Sequence, residues 1–226
     1  MTKTKITNIS SICTWSSLEN QLDCINDVEI LIQNGKIIKI DKNVGNAEKE
    51  INANGALITP GFIDSHTHSI FFGNRSNEYA SRISGLSYEE ISSMGGGIIS
   101  SIKGVRNATE DELYEYSREN IELFLSHGTT TIETKSGYGL TIEDEIKSLR
   151  VIKRLNEDTL LDIIPTFMGA HSIPPEYKEN SSKYVDLICE EMIPAITTEK
   201  LAKYCDVFCE EGYFSKADSK KILETG

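Results

Sequence analysis

The sequence lacks any long apolar run. Its most apolar stretch, from Ala56 to Phe62, is interrupted by a threonine and a proline, far short of the roughly 18 apolar residues of a transmembrane helix. The amino-terminal segment also lacks the continuous apolar core of a signal peptide, because polar residues separate Ile6, Ile9 and Ile12. We therefore expect a cytoplasmic protein that neither spans a membrane nor is exported.

Basic residues are scarce, with 23 lysines and arginines against 35 aspartates and glutamates and a formal net charge of −12. The charges are scattered, so no basic patch is available to bind the phosphates of nucleic acid. Hydrophobic residues make up 38% of the chain and charged residues 26%, which is typical of a soluble globular protein. We expect a folded protein without a nucleic-acid partner.

Cysteine is also sparse, and the five cysteines form no C-x-x-C motif and no cluster with histidine. They are Cys13, Cys24, Cys189, Cys205 and Cys209. An odd number of widely spaced cysteines is a poor disulfide framework. We predict that all five are reduced thiols, as in other cytoplasmic proteins.

Residues 1–57 read as a small antiparallel β unit. Strands are predicted over Thr4–Ile12, Val28–Gln33 and Lys36–Asp41. The dipeptide Asn34-Gly35 joins the last two, and it strongly indicates a hairpin because both central residues of a type I′ turn need positive φ.

Residues 58–226 alternate between strands and amphipathic helices. Predicted strands are the apolar run through Ile63 to Asp64, then 129–134, 160–167 and 205–209; predicted helices are 109–127, 141–156, 182–193 and 216–224. Thr109 and Glu112 form a capping box, and His127 before Gly128 is expected to serve the last helix carbonyls. This alternation predicts a parallel sheet, either doubly wound or part of an eight-stranded barrel. A whole barrel takes roughly 250 residues, so only about half of one fits here.

The segment with most chemical content is an apolar strand that ends in His66-Thr67-His68. Positions i and i+2 of a strand face the same way, so both imidazoles converge at its carboxyl end, where α/β folds place their sites. Two neutral imidazoles suit zinc or iron. The pattern predicts a metal site with these two histidines as ligands.

The segment P-G-F-I-D-S-H-T-H, residues 60–68, resembles the first barrel strand of the metal-dependent amidohydrolase superfamily. Two further segments, E-T-K-S-G-Y-G-L (residues 133–140) and M-G-A-H (residues 168–171), resemble one family of this superfamily, the imidazolonepropionases. The resemblance covers essentially the whole chain. It implies an α/β fold in which residues 1–57 form part of a small β-sandwich and residues 58–226 the first half of a (β/α)8 barrel.

This resemblance also implies an activity, the hydrolysis of 4-imidazolone-5-propanoate to N-formimidoyl-L-glutamate in histidine degradation. A water activated by one divalent metal, zinc or iron, would attack the cyclic amide, with His66 and His68 as two of the metal ligands. The full-length protein is expected to be a homodimer acting on this small molecule.

Four further residues match substrate-binding positions of the family. Arg75 suits the propionate carboxylate of the substrate, Tyr138 the imidazolone ring, and Tyr88 is expected to line the same pocket. His171 is expected to contact the substrate and to be catalytic. Judged without the resemblance, His171 would be assigned as a third zinc ligand, since histidine is a common partner for an H-x-H pair.

The remaining metal ligands that the resemblance implies, a later histidine and an aspartate, have no counterpart, since no histidine follows His171. A half barrel also leaves sheet edges unpaired. We therefore expect the amino-terminal portion of a longer protein rather than a natural truncation, inactive by itself. One alternative is another cyclic amidohydrolase or deaminase of the superfamily, including a two-metal enzyme bridged by carboxylated Lys135. A noncatalytic half-barrel module is the other.

Overall fold

The computed structural model describes residues 2–87, 90–91 and 94–226, and the chain divides into two compact units between Gly61 and Phe62. The division lies a few residues beyond the boundary expected at residue 57. Within the described ranges, no helix combines the length and hydropathy that crossing a bilayer demands.

The first unit consists of β-strands. They are β1 (Lys3–Thr7), β2 (Ser11–Ser16), β3 (Gln21–Asn26), β4 (Glu29–Gln33), β5 (Lys36–Asp41), β6 (Lys49–Asn52) and β7 (Leu57–Ile58). One sheet has the order β5-β4-β1-β6 and the other the order β3-β2-β7. A small core built on Ile9, Ile12 and Ile30 holds this unit together.

Backbone conformations in this unit confirm one of the predicted features and contradict another. Asn34 and Gly35 have φ of 54° and 72°, so the predicted hairpin between β4 and β5 is confirmed. The strand predicted over Thr4–Ile12 is wrong as a single element, because Asn8 adopts φ of 53° and breaks it into β1 and β2.

The prediction that all cysteines are reduced thiols is wrong for two of them. Cys13 and Cys24 are paired across the antiparallel strands β2 and β3 and form a disulfide. Directly opposite positions in such a ladder bring the two Cβ atoms close together, and the register that achieves this is not readable from cysteine spacing. Cys189, Cys205 and Cys209 are free thiols.

The second unit contains a four-stranded parallel sheet of order β11-β10-β9-β8. Its strands are β8 (Phe62–Thr67), β9 (Thr129–Lys135), β10 (Asp162–Ala170) and β11 (Tyr204–Val207). Each strand lies beside the strand that follows it in the chain, and the two strands of each adjacent pair run parallel. This arrangement is a parallel half-barrel sheet, which confirms the α/β class of fold expected from the sequence.

Helices connect these strands. They are α1 (Ser76–Ile83), α2 (Ile98–Asn107), α3 (Glu110–Ser126), α4 (Ile142–Asp158), α5 (Ser181–Leu187), α6 (Ile193–Glu199) and α7 (Lys216–Thr225), with a 3-10 turn over Pro175–Tyr177 and a π-helical turn over Ile188–Met192. The capping box of Thr109 and Glu112 is present at the start of α3. At its end, the Nδ1 atom of His127 lies 2.7 Å from the carbonyl oxygen of Leu123, so the predicted interaction with the last carbonyls is confirmed.

The core of the second unit lies between the sheet and its helices. On α4, Leu149, Ile152 and Leu155 are fully buried, and they pack in one cluster with Ile132 of β9 and Ile121 of α3. Burying side chains of this size stabilises the fold by roughly 1.5–3 kcal/mol each. This packing fixes the strand ends, and with them the residues that follow each strand.

Candidate active site

Aromatic rings follow the carboxyl ends of all four parallel strands. His68 comes directly after β8, Tyr138 three residues after β9, and His171 and Phe208 directly after β10 and β11. Because the strands are parallel and adjacent, their carboxyl ends meet at one edge of the sheet, the edge that carries the active site in α/β barrels.

The rings form a contiguous cluster. The His171 ring stacks on the His68 ring with centroids 4.7 Å apart and an interplanar angle of 17°. The Tyr138 ring lies 5.1 Å from His171 and 5.7 Å from His68, and Phe208 lies 6.3 Å from His171. The fold therefore brings together three of the residues selected from the sequence, and it adds Phe208, which no sequence motif indicated.

The tautomer of His171 follows from its surroundings. Its Nδ1 atom lies 2.9 Å from the carbonyl oxygen of Gly137, which only accepts hydrogen bonds. The proton is therefore on Nδ1, which leaves Nε2 as the acceptor nitrogen of a neutral ring. Burial lowers the pKa of His171, and the bond to Gly137 opposes that effect.

His68 is also held neutral. Burial is the largest cause, followed by electrostatic interactions with His171, His66 and Lys135, and together they lower its pKa to about 4. Its Nδ1 atom is buried and has no hydrogen-bond partner among the described residues. Such an orphaned nitrogen is costly unless something binds it, and a neutral imidazole nitrogen is what zinc and iron coordinate.

His66 completes the pair at the end of β8. It is exposed, and its ring centroid is 5.5 Å from that of His68. The two histidines therefore fit a metal as a pair of nitrogen donors. Within the described ranges, they are not joined by further histidine, cysteine or acidic side chains into a set of three or more that could hold a metal.

Arg75 lies at the rim of a cavity of about 750 Å³ that His68 and Tyr138 also line. It precedes α1, and its guanidinium Nη2 and Nε atoms lie 2.7 and 2.9 Å from Oε2 of Glu78. The other oxygen of Glu78 accepts a bond from the backbone of Gly97 at 3.0 Å. Glu78 thus orients an exposed guanidinium beside the cavity. Tyr88 lies outside the described residues.

A close helix approach shapes the same cavity. Gly104 of α2 packs against the backbone of Phe72, where a Cβ atom would overlap the carbonyl oxygen and lie 3.2 Å from the carbonyl carbon. Only glycine permits this approach. Both residues line the cavity together with Arg75, so the position of α2 decides where the loop after β8 runs.

Lys135, the candidate bridging lysine, is engaged elsewhere. Its ammonium lies 2.6 Å from Oε1 of Glu133 and 2.9 Å from Oδ2 of Asp206. Burial disfavours the charged form, but the bonds to Glu133 and Asp206 outweigh it and hold the pKa of Lys135 above its ordinary value. Carboxylation requires a neutral amine, so this ion pairing speaks against the two-metal alternative.

Two side chains that sequence reasoning missed hold the loop of residues 136–140, which carries Tyr138. Glu145 accepts hydrogen bonds from three backbone amides of this loop, and Arg106 donates one to the carbonyl oxygen of Gly139. An acidic residue in the first turn of a helix usually interacts with the helix itself, so the sequence offered no signal for the role of Glu145. The sequence likewise contains no motif that indicates the contact of Arg106.

Solved structures similar to this chain show which fold it shares. N-isopropylammelide isopropylaminohydrolase from Burkholderia multivorans matches with a TM-score of 0.55 and 15% identity, over 92% of this chain and 53% of that one. A 5-methylcytosine deaminase from Klebsiella pneumoniae matches with a TM-score of 0.55 and 16% identity, over 98% and 55%. At these identities the likeness concerns the fold alone. The shared fold combines a parallel half-barrel sheet with a smaller β unit, and this chain covers about half of each solved chain.

Curated sequences similar to this chain include several imidazolonepropionases. Imidazolonepropionase from Thermoanaerobacter pseudethanolicus is 50% identical over 92% of this chain, and that from Brevibacillus brevis is 46% identical over 92%. The chain spans about half the length of these relatives, 51% in both cases. No model of a protein family matches it. The resemblance expected from the sequence is confirmed, and the chain is a homologue of imidazolonepropionases.

Proposed function

We propose that this chain supplies the substrate-binding half of an enzyme that hydrolyses 4-imidazolone-5-propanoate to N-formimidoyl-L-glutamate in histidine degradation. The observation that carries the proposal is the convergence of His68, Tyr138 and His171 at one sheet edge, beside a cavity rimmed by Arg75. These residues come from three strand ends far apart in sequence. Identity of 50% to an imidazolonepropionase from Thermoanaerobacter pseudethanolicus supports the same reaction.

One divalent metal ion, zinc or iron, fits the pair His66 and His68, because both histidines offer nitrogen donors and the buried Nδ1 of His68 has no partner within the described ranges. When bound, such an ion lowers the pKa of water towards ~7 and polarises a carbonyl oxygen. Imidazole ligands accept both metals.

The roles proposed for the other residues follow from their chemistry. Arg75 binds the propionate carboxylate, because a guanidinium fork matches a carboxylate with two parallel hydrogen bonds. Tyr138 packs on the imidazolone ring. With its proton fixed on Nδ1, His171 presents Nε2 as a base or hydrogen-bond acceptor towards substrate. Tyr88 is assigned to the same pocket on the family resemblance alone.

The remaining assignments concern the whole protein. We assign residues 1–57 to a small β-sandwich domain and residues 58–226 to the first half of the barrel. The full-length protein is proposed to be a cytoplasmic homodimer with no nucleic-acid or membrane partner. The isolated 226-residue chain is proposed to be inactive, because the described residues supply only a pair of metal ligands.

A chimera tests this function. The chain replaces the matching half of the imidazolonepropionase from Thermoanaerobacter pseudethanolicus, and loss of 4-imidazolone-5-propanoate is followed by ultraviolet absorbance with bound metal quantified. We expect turnover with about one metal per chimera, no turnover by the isolated chain, and loss of metal in H66A/H68A. The intact relative is the positive control. A folded, metal-loaded chimera that leaves this substrate untouched but hydrolyses another cyclic amide would overturn the proposal.

A further inference from the structure

The loop of residues 136–140 has its backbone amides aimed at one carboxylate oxygen. The amides of Gly137, Gly139 and Leu140 lie 3.1, 2.9 and 2.9 Å from Oε1 of Glu145. Three converging donors on one oxygen form a compact anion nest. The nest therefore defines the path of the whole loop, including Tyr138 within it.

The carboxylate at the centre of this nest is completely buried. Glu145 stands in the first turn of α4 at 0% exposure. Glutamate is almost never fully buried without a partner, because desolvation penalises its charge. Burial raises the pKa of Glu145, and hydrogen bonds from Ser136 and the three loop amides oppose that rise. The loop and the carboxylate thus depend on each other.

Hydrogen bonds also hold the carbonyl groups of the loop. Arg106 donates from Nε to the carbonyl oxygen of Gly139 at 2.8 Å, and from Nη2 to Glu176 at 2.6 Å. The carbonyl oxygen of Gly137 accepts the Nδ1 proton of His171 at 2.9 Å. Gly137 therefore links Glu145 to His171, because its amide donates to the Glu145 carboxyl group and its carbonyl oxygen accepts the proton that orients the His171 ring.

The backbone of this loop needs such support. Gly137 has φ of 109° and Leu140 has φ of 57°, and the second value is unfavourable for a leucine. At Gly139 an added Cβ would lie 2.6 Å from the Asp144 backbone, so the loop presses against α4. Conformations of this kind persist only where surrounding contacts over-determine them.

We propose that Glu145 is a positioning residue that, through the backbone of this loop, sets both the place of the Tyr138 ring and the Nδ1-protonated tautomer of His171. The catalytic meaning of this inference rests on the proposed function. The structural part does not, because it concerns hydrogen bonds within this chain.

Three variants test the inference on the 226-residue chain. E145A removes the acceptor, while E145Q keeps an oxygen of similar reach without the charge. The matched control is E143A, which deletes an exposed glutamate from the same helical turn. The readouts are amide hydrogen exchange at the three nest amides and the imidazole nitrogen shifts of His171, both by NMR.

In E145A we expect at least about tenfold faster exchange at the nest amides and loss of the single His171 tautomer. In E145Q the fold is retained and His171 keeps its tautomer, but the chemical shifts of the nest amide protons change, because an amide oxygen replaces the carboxyl oxygen as their common acceptor. E143A should match the wild type. If E145A does not fold, the E145Q amide shifts decide. Nest amides unchanged in E145Q, or nest amides and a His171 signal unchanged in a folded E145A, would overturn the proposal.

In the chimera described above, E145A should lower kcat/KM by about 100-fold at unchanged metal content, as misplacement of a binding group by about 1 Å does. E145Q should recover most of that loss. A folded, metal-loaded chimera with the wild-type sequence that hydrolyses only another cyclic amide would defeat the proposed function, while the NMR result would still decide the role of Glu145.

Discussion

Replacing Gly104 by alanine tests whether the contact between α2 and the loop after β8 is as close as the structure shows. The new Cβ would overlap the carbonyl oxygen of Phe72 and lie 3.2 Å from its carbonyl carbon. Carbon atoms pack best at about 3.5–4.0 Å. Both partners are backbone, so no side chain can swing away, and the helix or the loop must move by on the order of 1 Å.

The sign of the stability change separates two effects. In an open helix, Gly→Ala stabilises by about 1 kcal/mol through helix propensity. Overpacking against backbone costs up to about 3 kcal/mol, so G104A should be destabilised by about 2 kcal/mol. In the chimera, the displaced loop would also shift Arg75, with a loss in kcat/KM of about 100-fold.

Urea unfolding followed by circular dichroism measures the first effect, with K103A as control because Lys103 is exposed on the same helix. The control should change by less than about 0.5 kcal/mol, at an unchanged dependence on urea. A G104A chain that is more stable than wild type by about 1 kcal/mol would refute the close contact, and with it the argument that α2 shapes the cavity.

Three further substitutions or treatments have defined outcomes. Burial raises the pKa of Asp206, but hydrogen bonding and ion pairing with Lys135 outweigh burial and hold this pKa below its ordinary value. The pair therefore stabilises the fold above pH ~4, and this stabilisation is lost as the pH falls through the Asp206 pKa. K135M should raise that pKa in a carboxyl-carbon NMR titration, and an unchanged pKa would contradict the pairing. T109A should lower the free energy of unfolding by about 1 kcal/mol through loss of the α3 cap, with no loss in urea melts counting against the capping box. Reducing Cys13–Cys24 should destabilise the first unit by about 2–4 kcal/mol, measured by hydrogen exchange of its strands with and without a phosphine reductant; identical protection would show that the bond carries no stability.

Several local features could be predicted from residues that lie close together in sequence. Asn34-Gly35 specified the hairpin, because its conformational preference needs no distant partner. Thr109 with Glu112 specified the start of α3, since both hydrogen bonds of a capping box lie within one turn. The strand that ends in His66-Thr67-His68 likewise indicated the site, because parallel strands carry their sites at their carboxyl ends.

Two helices escaped prediction for equally local reasons. In α1 no residue is buried and the helix has only 8 residues, which is shorter than the window of roughly 11–18 residues over which helical periodicity is recognised. In α2, Gly97 precedes the helix without a capping side chain, and Gly104 interrupts it with a residue that disfavours helix. The packing of α2 against Phe72 supplies what local propensity lacks.

The sequence by itself thus indicated the class of fold, the histidine pair as a candidate site and the resemblance to imidazolonepropionases, because periodicity, caps and contiguous motifs depend on neighbouring residues. Only the tertiary structure decided which distant groups meet. It paired Cys13 with Cys24 by strand register, engaged Lys135 of β9 with Asp206 of β11 across the intervening strand β10, and buried Glu145 beneath the Tyr138 loop. Such contacts depend on register and docking, which no local preference specifies.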